Sequence, residues 1–262
     1  MDKKNNGNLL VLNATMILPD KTVLGDLRTE NGTISEIKIG GGLEPNHDEQ
    51  VIDGTGLHLL PGAIDPQVHF REPGQPEKED LGSGSAAAVS GGITSFLDMP
   101  NNKPAITDMK GMQMKLDSAA ATCVNNYGFF IGATPTNLAE LQEVVGTIDA
   151  PRAIPGICGT KVFMGSSTGT LLVNEREALD RIFGGIGGLI AVHAEDEDRL
   201  NERYPSFEHR TDMAAHAEWR DDVTALLATK IAVELAERHQ HRLHILHLTS
   251  GLEADWLEGR TS

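Results

Sequence analysis

The chain is poor in cysteine, in basic charge and in long apolar runs, and each shortage excludes a class. Cys123 and Cys158 are its only two cysteines, too few for a disulfide framework or a Cys-rich zinc module. Lys and Arg number 22 against 38 Asp and Glu, a formal net charge of −16 over 262 residues. Nucleic-acid binding rests on clustered basic side chains, and an anionic membrane surface repels such a chain. No nucleic-acid or membrane partner is therefore expected. The opening stretch MDKKNNGNLLVLNATMILPDKT has only short apolar segments, unlike the continuous core of a secretory signal. Nowhere is there the run of about 18 apolar residues that a membrane helix needs. A cytoplasmic globular protein is the expectation.

Hydrophobic residues make up 39% and charged residues 23%, the balance of a folded chain. Residues 1–60 read as a β segment. Leu9–Leu12, Thr33–Ile39 and Val51–Ile52 are rich in Val and Ile and are punctuated by Asn31-Gly32 and Gly40-Gly41-Gly42, as hairpins are. Pro61-Gly62 then breaks the pattern, and 61–262 form a second domain of alternating strands and helices. Strands are expected at Ala63–Phe70, Ile93–Met99, Gly128–Ala133, Thr160–Met164, Leu189–His193 and Leu243–Leu248. Helices are expected within Ala86–Ser90, Met109–Ala121, Leu138–Val145, Glu175–Ile182 and Asp222–Arg238, with a polar loop over Asp196–Asp222. Alternation of this kind implies a parallel sheet with right-handed crossovers.

The first five strand starts lie roughly 30 residues apart, the repeat of a (β/α)8 barrel. The expected class is thus α/β: an incomplete TIM-type barrel with about six of its eight βα units, preceded by a small β-sandwich segment.

Polar residues recur where these apolar strands end. In DPQVHFREPG, side-chain alternation places Asp65, Gln67, His69 and Arg71 on one face. Alone, His69 reads most simply as a hydrogen-bonded surface residue. Lys161 lies among apolar neighbours in GTKVFM, where a lysine is costly to bury unless paired or modified; a snorkelling surface lysine is the simpler reading in isolation. His193 closes LIAVH and His247 lies in LHILHLTS. Four such groups at four strand ends converge if the strands curve into a barrel, and imidazole with oxygen donors suits zinc. His58, His209, His216, His239, His241 and His244 fall in loops, helices or the opposite strand parity and are set aside.

The segment LPGAIDPQVHFREPGQPEKEDLGSGSAAAVSGGITSFLDMPNNKP resembles class I dihydroorotases of the amidohydrolase superfamily. The likeness continues through GTKVFMGSSTGTLLV, AVHAEDED, the His216 to Arg220 stretch and LHILHLTSG. It implies a reversible, zinc-dependent closure of N-carbamoyl-L-aspartate to (S)-dihydroorotate in pyrimidine synthesis. By resemblance His69 would hold a first zinc, Lys161 would bridge two metals as a carbamate, and His193 and His247 would hold the second. Arg71 would clamp the substrate carboxylate, as guanidinium geometry suits, and Asn101 would hydrogen-bond the same small molecule.

The family most often has His-x-His where this chain has Gln67-Val68-His69. An amide oxygen is a weaker ligand than imidazole, so Gln67 leaves one or two zinc ions open. The family's metal-binding, proton-carrying Asp is expected beyond Ser262. No catalytic Asp is therefore assigned within the chain, which reads as the N-terminal part of a longer enzyme and is expected to be inactive as supplied. Two rivals stand beside dihydroorotase. One is another cyclic amidase, a hydantoinase or allantoinase, disfavoured by Arg71 and Asn101. The other is a non-catalytic partner subunit, disfavoured by retention of Lys161, His193 and His247. A homodimer or association with aspartate transcarbamoylase is compatible with either ancestry.

Overall fold

The first sheet starts with β1 (Leu9–Ile17), β2 (Thr22–Glu30) and β3 (Thr33–Ile39), and β4 (Gln50–Asp53) and β5 (His58–Leu59) complete it. Asn31-Gly32 is the whole β2–β3 connection, with φ of +53° and +77°; both central residues of such a hairpin turn need positive φ. The order is β3-β2-β1-β4, with β5 beside β1, so the five strands form one mixed sheet. Leu10, Val11, Ala14 and Met16 of β1 are its buried apolar residues.

These observations come from a computed structural model that describes residues 7–166 and 170–260. The chain divides into two compact units, Met1–Gly62 and Ala63–Ser262. Part of the GTKVFMGSSTGTLLV segment, residues 167–169, lies outside the described residues.

The second unit alternates strand and helix: β6 (Ala63–Val68), α1 (Leu81–Ser90), β7 (Ile93–Asp98), α2 (Met109–Thr122), β8 (Asn126–Gly132), α3 (Leu138–Val145) and β9 (Ile157–Phe163). It continues with α4 (Arg176–Gly185), β10 (Leu189–His193), α5 (Glu197–Arg203), α6 (Met213–Trp219), α7 (Asp222–His239), β11 (Arg242–Ile245) and α8 (Gly251–Glu258). The sheet order is β11-β10-β9-β8-β7-β6, every strand beside its predecessor and every pair parallel. A strictly sequential parallel sheet with right-handed crossovers puts all its helices on one face. Such a sheet curls, and this one is a partial TIM barrel of six strands.

Its two faces carry different cores. Phe96, Phe129, Ile131, Val162, Ile190 and Val192 belong to the larger cluster, which also takes in helical residues such as Met112, Leu141, Leu179 and Leu235. Alternation turns the intervening residues to the opposite face, where Met99, Phe130, Ala191 and Leu246 form a smaller cluster. Burial on both sides accounts for the continuous apolar runs of β8 to β10.

Two expectations are corrected here. The first barrel strand ends at Val68, not Phe70, and its pairing with β7 slips twice. Pro66 lies within the second slip, and a proline has no N–H to give to a ladder. Strand parity therefore does not carry His69 and Arg71, which sit in the following loop. The expected loop over Asp196–Asp222 contains α5, a single 3-10 turn at Tyr204–Ser206, and α6. Asp196 and Asp212 cap α5 and α6 by accepting from the Arg199 and Ala215 amides, and such caps help short polar helices form.

Asp221 caps α7 in the same way, accepting from the Thr224 N–H at 2.9 Å and pairing with Arg199 at 2.6 Å. The Arg199 guanidinium holds its carboxyl below the ordinary value of 3.8. Asp221→Ala is expected to cost about 1–2 kcal/mol at neutral pH. A depressed carboxyl contributes fully above its unfolded value, and the contribution fades as pH falls through the folded one. The gap between wild type and variant should therefore narrow below pH 3.8, as urea unfolding across pH would read out.

Candidate active site

Because the strands are parallel, their C-terminal ends share one edge, where barrels and open α/β sheets place their sites. His69 follows β6, Asn101 lies three residues after β7, Lys161 is in the last turns of β9, His193 ends β10 and His247 lies two residues past β11. All five reach that edge. Arg71 stands in the same loop as His69, its backbone N–H bonded to the Glu79 carbonyl at 2.9 Å. Gln67 is half-buried on β6, with its backbone N–H on the Asp65 carboxylate at 3.0 Å.

Pairwise contacts organise these residues. His69 Nδ1 is 2.7 Å from Asn101 Oδ1. An amide oxygen only accepts, so this bond places the proton on Nδ1 and leaves Nε2 with a free lone pair. Burial pushes the His69 imidazole below its ordinary value, and the nearby charges of Arg71 and Lys161 push the same way.

On the other side His193 Nε2 meets Glu195 Oε2 at 2.5 Å, while His193 Nδ1 meets His247 Nε2 at 2.9 Å. A carboxylate only accepts, so the Nε2 proton belongs to this bond and Nδ1 carries the lone pair. Glu195 is itself held by Arg220, whose Nε donates to Oε1 at 2.7 Å and whose second nitrogen donates to Oε2. Burial alone would raise the Glu195 carboxyl; the bonds from His193 and Arg220 outweigh it and hold it at about 2. His247 is pushed down to about 4 by burial, by His193 and by Lys161.

Lys161 acts electrostatically on a histidine of each pair. It is 1% exposed, its Nζ has no hydrogen-bond partner, and it rests 4.5 Å from the centre of the Phe163 ring. Burial pushes its amine well below the ordinary lysine value. Its charge acts on both His69 and His247, which puts the three within electrostatic reach. A buried amine without a partner costs stability, so its presence here calls for a ligand or a modification.

Among the described residues no three His, Cys, Asp or Glu side chains by themselves form a metal cluster. The unpartnered Nζ of Lys161 is a donor outside those residue types. With it, the residues fit zinc: a bare lone pair on His69 Nε2, a His193 Nδ1 lone pair shared with the His247 ring at 2.9 Å, a second imidazole at His247 itself, and an orphaned amine. The Arg220–Glu195–His193 chain is the arrangement that fixes tautomer and ring orientation in metal-binding histidines.

Three participants were not singled out from the sequence. Glu195 is one of several acids in HAEDED, and nothing local marks it. Arg220 reaches it across 25 residues. His216, set aside as a loop residue, lies 3.1 Å from Arg220 and lines a cavity of about 350 Å³ together with His193, Glu195 and His247. The i, i+4 spacing of His216 and Arg220 was the available signal. His244 needs a second correction. It pairs with Ala191 across β10 and β11 and so shares the face of the smaller cluster. His247 reaches His193 by another route: the strand has ended, and His247 has a φ of +40°.

The Amidohydrolase family profile matches residues 58–236. A dihydroorotase of Methanosarcina acetivorans is 35% identical over 233 residues, covering 87% of this chain and 47% of the relative. An allantoinase of Enterococcus faecalis is 31% identical over 250 residues, covering 92% and 53%. The L-hydantoinase (dihydropyrimidinase) structure from Arthrobacter aurescens superposes with a TM-score of 0.83 at 24% identity, over 96% of this chain and 55% of that one; this likeness is one of fold. The chain spans about half the length of the curated relatives it matches. A matched profile over most of the second unit, on a partial barrel whose strand ends gather His69, Lys161, His193 and His247, places this chain in the amidohydrolase family.

Proposed function

We propose that the site serves a dihydroorotase, interconverting N-carbamoyl-L-aspartate and (S)-dihydroorotate. The observation that carries the reading is the Arg71 charge felt by His69 of the His69–Asn101 pair: a guanidinium within electrostatic reach of an amidase site gives a ring carboxylate its counter-ion. The dihydroorotase likeness at 35% identity supports it. Hydantoin and allantoin rings lack that carboxylate and leave Arg71 without a role.

His69, Lys161, His193 and His247 are the residues that would hold one or two zinc ions, with Gln67 a weaker oxygen donor nearby. Zinc would supply polarisation of the ring carbonyl and an acidified water, the two needs of ring-amide hydrolysis. The chain's own groups do the rest. Asn101 orients His69 through Oδ1 and keeps its amide N–H groups for the substrate. Glu195 and Arg220 lock His193 in one tautomer. Lys161, depressed by burial, presents a nucleophilic amine that carbon dioxide can convert to a carbamate, an anion able to offset dications as neutral imidazoles cannot.

The allantoinase likenesses support a second reading, allantoin hydrolysis. Titration of the zinc-loaded protein with (S)-dihydroorotate, N-carbamoyl-L-aspartate, allantoin and hydantoin separates the two. Saturable binding confined to the first two ligands is expected; binding of allantoin alone would replace the proposal with the second reading.

A further inference from the structure

A second buried charge cluster lies beneath the candidate site, and none of its members has been given a role above. Lys115 of α2 reaches the Asp98 carboxylate at the end of β7, Nζ to Oδ2 2.7 Å, with both side chains 0% exposed. Lys115 also donates to Asn102 Oδ1 at 2.9 Å and to the Met99 carbonyl at 3.3 Å. Asp98 Oδ1 accepts the Phe70 N–H at 3.1 Å. Asn102 Nδ2 donates to the Phe70 carbonyl at 3.2 Å and the Glu72 carbonyl at 3.0 Å. Glu72 in turn accepts from Ser118 of α2 and from the Leu81 N–H that begins α1.

The choice of partners is informative. Phe70 lies between His69 and Arg71, and both of its backbone polar groups are held by this cluster. Asn102 is the neighbour of Asn101. The loops after β6 and β7 also pack backbone to backbone, since Gly74, at φ +108°, leaves no room for a Cβ against the Lys103 carbonyl. The cluster therefore ties the segment carrying Arg71 to the segment carrying Asn101.

Stability alone does not explain it. Burial pushes the Asp98 carboxyl up and the Lys115 amine down, against their mutual attraction. A buried ion pair is often matched or exceeded in stability by apolar residues of similar volume. What apolar residues cannot do is direct hydrogen bonds to three chosen backbone and side-chain groups.

We propose that Lys115, acting with Asp98 and Asn102, is a positioning residue that sets Arg71 and Asn101 in one register for an anionic ring substrate. The inference deepens the dihydroorotase reading and rests on it for the substrate's charge.

The test is the Asp98→Asn/Lys115→Met double variant of the zinc-binding protein, which removes both charges and the link to Asn102 while leaving an oxygen for the Phe70 amide. Lys115→Met alone strands a buried carboxylate and is expected to unfold readily; the double variant keeps the question open to measurement. We expect zinc content within error of wild type and a melting point within a few degrees. Kd for dihydroorotate should rise at least tenfold, with Kd for hydantoin, which has no ring carboxylate, changed less than threefold. Amide exchange should speed up together over residues 70–79 and 99–106, with β8 to β10 unchanged. A lower melting point with unaltered Kd for dihydroorotate would overturn the proposal and leave a structural pair. Should wild type bind no ring carboxylate, the functional reading fails by itself. Exchange then decides the relay: joint loosening of the two loops sustains it, and loosening of one or neither overturns it.

Discussion

Lys161→Met is expected to lose zinc and ligand binding together while leaving the metal-free fold as stable as wild type or more so. The reasoning starts from the Nζ, which is buried without a hydrogen-bond partner. Leaving a polar group in that state costs about 1–3 kcal/mol, and methionine fills similar volume without a donor to satisfy. Metal-free wild type should therefore melt at or below the variant, by a few degrees on the usual scaling. With zinc the order reverses, because a ligand that binds only the folded state stabilises it. Elemental analysis should show the variant short of at least one equivalent, and dihydroorotate binding should weaken with it. Reconstitution of metal-free wild type should in addition require bicarbonate. A metal-free variant clearly less stable than wild type, with zinc intact, would make Lys161 a packing residue and remove the centre of the site.

Arg71→Met should act on recognition instead. Its loop is held through the Glu79 carbonyl by backbone, not by the guanidinium, so the fold should survive. Losing one member of a charge-assisted pair to a desolvated carboxylate costs about 2–5 kcal/mol. Kd for dihydroorotate should accordingly rise about a hundredfold, which corresponds to about 2.7 kcal/mol, with zinc content unchanged. Binding of hydantoin, which has no ring carboxylate, should not weaken. Equal losses for both rings would show that Arg71 supports the site without reading the substrate's charge. Lys161 and Arg71 therefore fail in different ways, one in metal and one in ligand preference, and a panel that measures both separates them.

Much of this site was legible in one dimension because the chemistry contradicts its surroundings. Lys161 stands in GTKVFM and His193 ends LIAVH, polar groups in strands covered on both faces. Such residues attract notice because burial penalises them. His69 and Asn101 were legible through the segment that resembles dihydroorotases, although the strand geometry first used to align His69 and Arg71 stops at Val68. Glu195 illustrates the opposite case. Four of the five residues at 195–199 are acidic, and only the arrival of Arg220 and His193 distinguishes the one that sets a tautomer.

The alternation of βα units, the six parallel strands and the placing of polar groups near their C-terminal ends follow from hydrophobic period and turn chemistry, which act over a few residues at a time. Partnership does not. Asp98 with Lys115, Glu195 with Arg220 and His193 with His247 join residues 17, 25 and 54 positions apart, and their bonds reach over about 3 Å. Interactions so short-ranged leave no periodic trace along the chain; they exist once strand register, a helix crossing or one left-handed residue brings the two groups face to face.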